Sequence, residues 1–179
     1  MNIDLHELKS EVLTGAGIEY FNNNSNYEFN IFPFLNYYVN YDNNNESISG
    51  YGLRDNHYVI RNDDTYRIIN TVKHPILDYK LLKNEDYISY KQDFFLLPPH
   101  QTILLKSYEK IVLDQYTHAL LIGKEIYHQL GLNIFSKPIE SNHNGNIDIY
   151  VTNQSSNPIK LYSFEGIANL YFFKEDKKQ

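Results

Sequence analysis

The 179-residue sequence contains no cysteine and no tryptophan. The missing cysteine excludes disulfide bonds, thiolate nucleophiles and cysteine-ligated zinc. No apolar run approaches the roughly 20 residues that a membrane-spanning helix needs. The first ten residues, MNIDLHELKS, are charged and do not resemble a signal peptide. From these absences we expect a soluble, cytoplasmic protein with no membrane contact.

Basic residues are also few, with 16 Lys and Arg against 22 Asp and Glu and a formal net charge of -6. General nucleic-acid binding requires clustered Lys and Arg that neutralise phosphates. No such cluster is present in the sequence, so we expect no general nucleic-acid binding. The seven His residues show no metal-ligand spacing, and we predict no metal site.

Aromatic residues are abundant: 17 Tyr and 10 Phe make up 15% of the chain. Tyrosine suits half-buried sheet surfaces and interfaces, because one end of its ring is apolar and the other forms hydrogen bonds. Short alternating patterns recur at intervals of roughly 8–12 residues between turn signals, which is typical of a barrel or sandwich. The sequence therefore predicts one mainly β domain over residues 1–179.

Helical patterns occur at two places. Apolar residues at helical spacing over 3–14, with Asp4 as N-cap, predict an N-terminal helix that Gly15 and Gly17 end. A short strand is expected to follow at 18–21. The stretch HALLIGKEIYHQLGL predicts an apolar strand and then a short internal helix that Gly131 caps.

The region from 36 to 64 is rich in polar and turn residues. The stretches NYDNNNES, SGYG and RNDD predict turns between short hairpin strands. Arg54, Arg61 and Arg67 have no phosphate-loop context, and we expect them to be ordinary surface charges.

Several motifs in the second half of the chain occur in a fixed order. They are FLLPPHQTILLKSYEKIVLDQYTHALLIGKEIYHQLGL (95–132), PIESNHNGNIDIYVTN (138–153) and PIKLYSFEGIANLYF (158–172). The first resembles the dCTP deaminase pattern F-x-L-x-P-G-E, T-L-E-S-V-x-L-P and G-R-S-S-L-A-R-L-G-L. The other two resemble that family's R-I-D-P-G-W-S-G-x-I-x-L-E-x-x-N and P-L-x-L-x-P-G-x-x-I-A-Q-L-x-F. The resemblance covers most of the chain except a family-atypical region at about 32–93.

The resemblance to the dCTP deaminase and dUTPase superfamily implies a particular architecture. The fold would be a distorted β-barrel of the β-clip (dUTPase-like) type, with an N-terminal helix and one short internal helix. Such proteins usually assemble as homotrimers with sites between subunits. The family deaminates dCTP without a metal or hydrolyses dUTP with magnesium.

The chain departs from the family at positions that carry this chemistry. Tyr150 stands where the deaminases have a proton-shuttling glutamate, and the pKa of a free tyrosine is about 10. Glu125 and Ile126 replace a serine pair that contacts phosphate or base. Gln129 replaces the second arginine, and only Lys124 keeps the charge of the first.

Other candidate site residues follow from the same resemblance. Glu140 stands at the aspartate that activates water in dUTPases, although a carboxylate there could instead hold the following SNHNG turn. His143 stands where dUTPases stack an aromatic under deoxyribose, and Asn169 replaces a glutamine. The sequence also ends soon after LYFFKED, where family enzymes continue into a tail that closes over the nucleotide.

These departures leave three hypotheses. The first is a non-catalytic, trimeric structural or partner-binding relative, in one form a phage or viral assembly protein associated with the virion. The second is a divergent deoxynucleotide hydrolase or deaminase that uses Glu140, Lys124 and Asp148, with Mg²⁺ if it acts as a dUTPase. The third is a nucleotide sensor that binds without turnover. We expect no other cofactor.

Overall fold

The computed structural model describes residues 10–73 and 76–175. Within these residues the chain forms fourteen strands, two α-helices and one 3-10 turn at Asn84–Asp86. The strands are β1 (Ser10–Val12), β2 (Asn30–Phe32), β3 (Tyr38–Tyr41), β4 (Ser47–Leu53), β5 (Tyr58–Ile69), β6 (Tyr87–Lys91), β7 (Phe94–Leu97), β8 (Thr102–Val112), β9 (Thr117–Gly123), β10 (Leu132–Ile134), β11 (Lys137–Ile139), β12 (Asn144–Asn153), β13 (Ile159–Tyr162) and β14 (Gly166–Glu175). The helices are α1 (Gly15–Asn23) and α2 (Glu125–Gln129). Neither helix has the length and apolar character needed to cross a membrane.

Twelve of the described strands form one antiparallel sheet whose central order is β10-β12-β8-β5-β14-β9-β11. Strands β7 and β13 form a separate pair. Strand β5 turns the sheet, because its first half pairs with β4 and β14 and its second half with β6 and β8. A shift in register at this corner, between Asn62 and Tyr66, adds the local bend typical of a β-bulge. The predicted mainly β class is confirmed.

Alternating burial along the strands places one continuous core inside this curved sheet. In β8 and β12, the apolar residues at every second position face inward, among them Leu105, Ile111, Ile149 and Val151. Burying each such side chain contributes roughly 1.5–3 kcal/mol. The fold therefore follows largely from the period-2 patterns of its long strands.

The secondary structure predicted for the first 21 residues is wrong from residue 10 onward, where the structure describes the chain. The helix predicted over 3–14 lies mostly outside the described residues, and Ser10–Val12 instead forms a strand against β14. Helix α1 begins at Gly15 and includes the predicted strand at 18–21. The Thr14 side chain accepts a hydrogen bond from the Gly17 N–H at 3.3 Å and caps this helix.

The turns predicted at SGYG and RNDD are also wrong, because both stretches lie inside strands β4 and β5. Gly50 serves close packing, since a Cβ there would lie 2.4 Å from the Val39 carbonyl oxygen. The Asn62 side chain donates to the Tyr162 carbonyl oxygen at 3.1 Å and supports the bulge. By contrast, the turn at NYDNNNES is confirmed between β3 and β4, and helix α2 is confirmed as well. Gly131 follows α2 with φ +86°.

Candidate functional site

Lys124 lies at the junction of β9 and α2, with its ammonium group inside the subunit. Nζ donates to Ser49 Oγ at 2.9 Å and to the Gly50 carbonyl oxygen at 2.8 Å. The Tyr38 hydroxyl lies 3.5 Å from the same nitrogen. An ammonium group has three N–H donors, so the β3–β4 hairpin offers an acceptor for each of them.

The surroundings of Lys124 change its acidity. Burial lowers its pKa to about 8, and the Arg54 guanidinium acts in the same direction. The Glu165 carboxylate opposes this shift, and burial in turn raises the pKa of Glu165. At neutral pH the ammonium is therefore still mostly protonated, with its charge held by neutral oxygen acceptors and a nearby carboxylate.

A cavity of about 320 Å³ adjoins this lysine. It is lined by residues of the β3–β4 hairpin, the start of β5, α2 and β14, among them Tyr38, Arg54, His57, Lys124, Glu125 and Asn169. The Arg54 guanidinium lies 4.3 Å above the Tyr38 ring, and burial lowers the pKa of His57. Lys124 and Asn169 are thus brought together as predicted site residues. Arg54 and His57 line the same cavity. The local sequence did not indicate this, because these residues reach Lys124 and Asn169 only through the pairing of β4, β5, β14 and β9.

Helix α2 presents its other substituted positions to solvent. Glu125, Ile126 and Gln129 are all exposed, and the Gln129 amide donates to Glu125 Oε1 at 3.4 Å. This helical face therefore offers a carboxylate and an aliphatic side chain, which together favour neither anion binding nor proton transfer.

Glu140 and His143 lie in the connection between β11 and β12. Glu140 is exposed and forms no hydrogen bond or ion pair within the described part of the chain. The turn is held without it, because the Asn142 N–H donates to the Asp114 carbonyl oxygen at 3.2 Å and His143 Nε2 lies 3.2 Å from the Gly145 carbonyl oxygen. Glu140 is available to solvent or to another subunit.

Tyr150 and Asp148 project from the same face of β12. Tyr150 is 40% exposed. The pKa of Tyr87 is raised first by its own burial and second by electrostatic repulsion from Tyr150. Asp148 Oδ1 accepts a hydrogen bond from Arg67 Nη2 at 3.0 Å. The groups around Tyr150 are therefore a phenol and an ion pair. The six predicted residues occupy three separate places in one subunit: beside α2, in the β11–β12 turn and on β12.

Comparison with known proteins fixes the family. The model of the family described as "dCTP deaminase-like" matches residues 47–175. The chain belongs to the dCTP deaminase-like family. The dCTP deaminases of Francisella tularensis subsp. novicida and Francisella philomiragia are each 27% identical over 135 residues, which is 75% of this chain and 72% of theirs.

A solved structure shares the fold of this deaminase-like chain. The dCTP deaminase of Agrobacterium tumefaciens superposes with a TM-score of 0.63 over 92% of this chain, at 10% identity. This chain spans only 48% of that protein. The similarity confirms the expected fold class, a distorted barrel of the dUTPase-like type. The family match begins at residue 47 and so includes much of the region that seemed atypical from the sequence.

The deaminase-like chain also contains a buried ion pair that the sequence did not reveal. The fully buried Glu109 side chain accepts from Arg61 Nε at 2.7 Å and from the Arg61 backbone N–H at 2.8 Å. The guanidinium lies between the Tyr51 and Tyr108 rings, 4.3 and 4.4 Å from their centroids. Burial raises the pKa of Glu109, and Arg61 opposes that shift. The expectation that Arg61 is a surface charge is therefore wrong, since its side chain is 12% exposed.

A metal site is a separate question for this family, because a dUTPase-type reaction uses magnesium. Among residues 10–73 and 76–175, no three His, Asp or Glu side chains are grouped so that they could hold a metal ion. Asp148 is engaged with Arg67, and Glu140 has no ion-pair partner among the described residues. These residues do not fit a protein-held Mg²⁺, and we assign no step to one.

Proposed function

We propose that this chain is a non-catalytic member of the dCTP deaminase-like family that acts as a trimeric structural or partner-binding protein. The observation that carries the proposal is the position of Lys124. Its ammonium is the only charge retained from the family's phosphate-binding segment, and it is already bound to Ser49 and Gly50 inside the subunit. It must give up these hydrogen bonds before it can hold a triphosphate.

The energetics favour this internal arrangement. Each hydrogen bond to a charged group contributes about 1.5–3 kcal/mol, so turning Lys124 toward a ligand would forfeit two such bonds. The adjacent Glu125 carboxylate would repel a triphosphate, and Ile126 offers it no donor. The segment that binds phosphate in the family therefore has neither the second arginine nor the serine pair in this chain, and the one hydroxyl in it, that of Tyr127, is on a buried residue.

The second support comes from the position of the proton shuttle. General acid–base catalysis requires a titratable group with a pKa near the working pH, and a phenol with an ordinary pKa of about 10 is a poor base. Asp148 lies two residues from Tyr150, but its carboxylate is paired with Arg67. The carboxylate nearest in sequence to the substituted position is thus engaged in an ion pair.

A second candidate function is nucleotide binding, with or without divergent turnover. The observation that favours it is the cavity beside α2, where Arg54 and His57 join Lys124 and Asn169. In this alternative the Arg54 guanidinium replaces part of the lost positive charge, and the His57 ring adds a polar group beside it. In that case Glu140, which is unpaired within the described chain, is the candidate base across a subunit boundary. Mg²⁺ would enter only with a dUTPase-type reaction.

Incubation with dCTP and with dUTP, each with and without Mg²⁺, tests the proposal directly. We expect no deaminated or hydrolysed product and no calorimetric signal of binding. Product that disappears in Glu140→Ala would overturn the proposal and establish the enzyme. Binding without product that is lost in Arg54→Ala would instead support the sensor. Lys110→Ala serves as the control, because Lys110 is an exposed cation on β8 that does not line the cavity.

The proposal extends to assembly and source. Assembly as a homotrimer, a role in a phage or viral particle and a cytoplasmic or virion location follow by analogy with other β-clip barrels. A mass measurement in solution tests the assembly, and recovery of the chain with purified particles tests the virion role.

A further inference from the structure

A loop between β5 and the 3-10 turn exposes an unusual number of large apolar side chains. We call residues 71–73 and 76–83 the arm. Five of its six large apolar residues are between 57% and 92% exposed, namely Val72, Ile76, Leu77, Tyr79 and Leu81, whereas Leu82 is only partly exposed. Several exposed large apolar side chains in one short segment favour an interaction site. The arm also carries three exposed lysines, Lys73, Lys80 and Lys83.

The base of the arm is fixed to the sheet. The Asn70 N–H donates to the Asp86 carbonyl oxygen at 2.8 Å, and the Lys83 N–H donates to Asp86 Oδ2 at 2.8 Å. Within the arm, the Leu81 and Leu82 N–H groups donate to the Asp78 carbonyl oxygen. The arm therefore leaves the sheet at a defined point and has turn structure of its own.

A groove elsewhere on the molecule is aromatic like the arm is apolar, but it carries the opposite charge. It encloses about 630 Å³ and is lined by six aromatic rings around Arg61, which are Tyr37, Tyr41, Tyr51, Tyr108, Tyr162 and Phe164. All of these rings except Tyr51 are between 40% and 59% exposed. Tyr, Phe and Arg are the residues enriched in protein interfaces and their energetic centres. This composition favours a protein partner over a small ligand.

The charge of the groove is negative. Three carboxylates line it, from Asp42, Asp93 and Glu165, while the positive charge of Arg61 is offset by Glu109 beneath it. The groove therefore suits a partner that is both apolar and cationic. The arm combines these two properties within this chain, because its three lysines outnumber its one carboxylate, Asp78.

The arm and the groove lie toward opposite ends of β5. The groove contains Arg61, near the start of the strand, and the arm begins after Ile69, at its end. A straight strand of eight residues would span roughly 26 Å, and the bend of β5 between Asn62 and Tyr66 makes this an upper bound. Within one subunit the arm residues are exposed, so they do not fill the groove of their own chain.

We propose that the arm of one copy docks into the groove of the next copy, head to tail. Such a heterologous contact joins two different surfaces and generates a closed ring when the rotation closes. The homotrimer implied by the family resemblance is one such ring. The inference concerns assembly alone, so it stands whether or not the chain retains catalysis.

Charge exchange across the contact tests the inference in solution. Sedimentation velocity over a concentration series would compare the wild type with Lys80→Glu on the arm, Asp93→Lys in the groove, and both together. Each single change reduces the charge complementarity of the two surfaces and should weaken association about tenfold or more, while the double change should restore it. Lys110→Glu is the matched control, because Lys110 is an exposed lysine on β8 outside both surfaces.

A mixing experiment tests the head-to-tail geometry. Leu77→Ser with Tyr79→Ser disables the arm, and Tyr37→Ser with Tyr41→Ser disables the groove; all four side chains are more than half exposed, so folding should be retained. Each variant alone should be monomeric, and their mixture should form 1:1 heterodimers through the one intact contact. A monomeric wild type, singles that associate like wild type, a double exchange that fails to restore association, or a mixture that stays monomeric would each overturn the inference.

Discussion

At the scale of single residues, Lys124 shows how a substituted site can become a structural contact. The hairpin that accepts its hydrogen bonds also buries it, and burial lowers its pKa to about 8 from the ordinary 10.5. Because the folded pKa lies below the unfolded one, the unfolded chain binds more protons between these two values. The free energy of unfolding should therefore rise with pH through this window.

This shift predicts a pH-dependent difference between the wild type and Lys124→Met. Between pH 7 and 9.5 the wild type should gain about 1–2 kcal/mol relative to the variant, after allowance for partial exposure. Urea unfolding of both proteins at both pH values measures this difference in the free energy of unfolding. The contribution of tyrosine titration is common to the two proteins and cancels in the difference. A difference that stays constant across this range would show that Lys124 is not perturbed in the folded state.

The buried pair of Glu109 and Arg61 gives a second prediction. Glu109→Gln should destabilise the protein by about 3–5 kcal/mol, because it leaves the Arg61 guanidinium buried without its counter-charge. Replacing both residues by leucine should cost less than the sum of the two single leucine replacements. Denaturant unfolding measures each change. Glu140→Gln is the control and should lie within about 0.5 kcal/mol of wild type; an equal loss there would refute the argument.

At the scale of elements, the sequence correctly predicted the strands and helices that are specified by patterns of neighbouring residues. Strand β12 shows period-2 burial, and α2 ends where Gly131 adopts a positive φ, so pattern and turn chemistry sufficed. Gly50 and the bulge at Asn62 were mistaken for turns because their residue types serve contacts between strands: Gly50 packs against β3, and Asn62 binds the carbonyl oxygen of Tyr162 on β13. Arg54 and His57 escaped notice for the same reason: only tertiary pairing brings them to Lys124.

Helix α1 offers a matched test of such a contact. A Cβ on Gly15 would lie 2.4 Å from the Arg54 carbonyl oxygen, whereas the nearest atom to a Cβ on Gly17 is 3.6 Å away. Gly15→Ala should therefore destabilise the protein by about 1–3 kcal/mol through overpacking. Gly17→Ala should stabilise it by about 0.5–1 kcal/mol through helix propensity. Thermal unfolding of the two variants decides, and equal effects would contradict the packing argument.

At the scale of the whole molecule, the region at 32–93 cannot be separated from the rest. Its strands β4 and β5 pair with each other, and β5 also pairs with β14 and β8, in the centre of the sheet. Ser49 from this region binds both Lys124 and the Gly166 carbonyl oxygen. The family resemblance could not show this from sequence, because the motifs that carry it lie almost entirely after residue 93.

We therefore predict that the chain unfolds as a single cooperative unit. Since the chain has no cysteine, a fluorophore can be attached at Ser47→Cys in the hairpin or at Thr102→Cys on β8, both of which are exposed positions. Denaturant curves from the two probes should coincide in midpoint and slope. An earlier transition at Ser47 would mean that the hairpin opens independently, and the retention of Lys124 by Ser49 and Gly50 would then be a weak barrier to ligand binding.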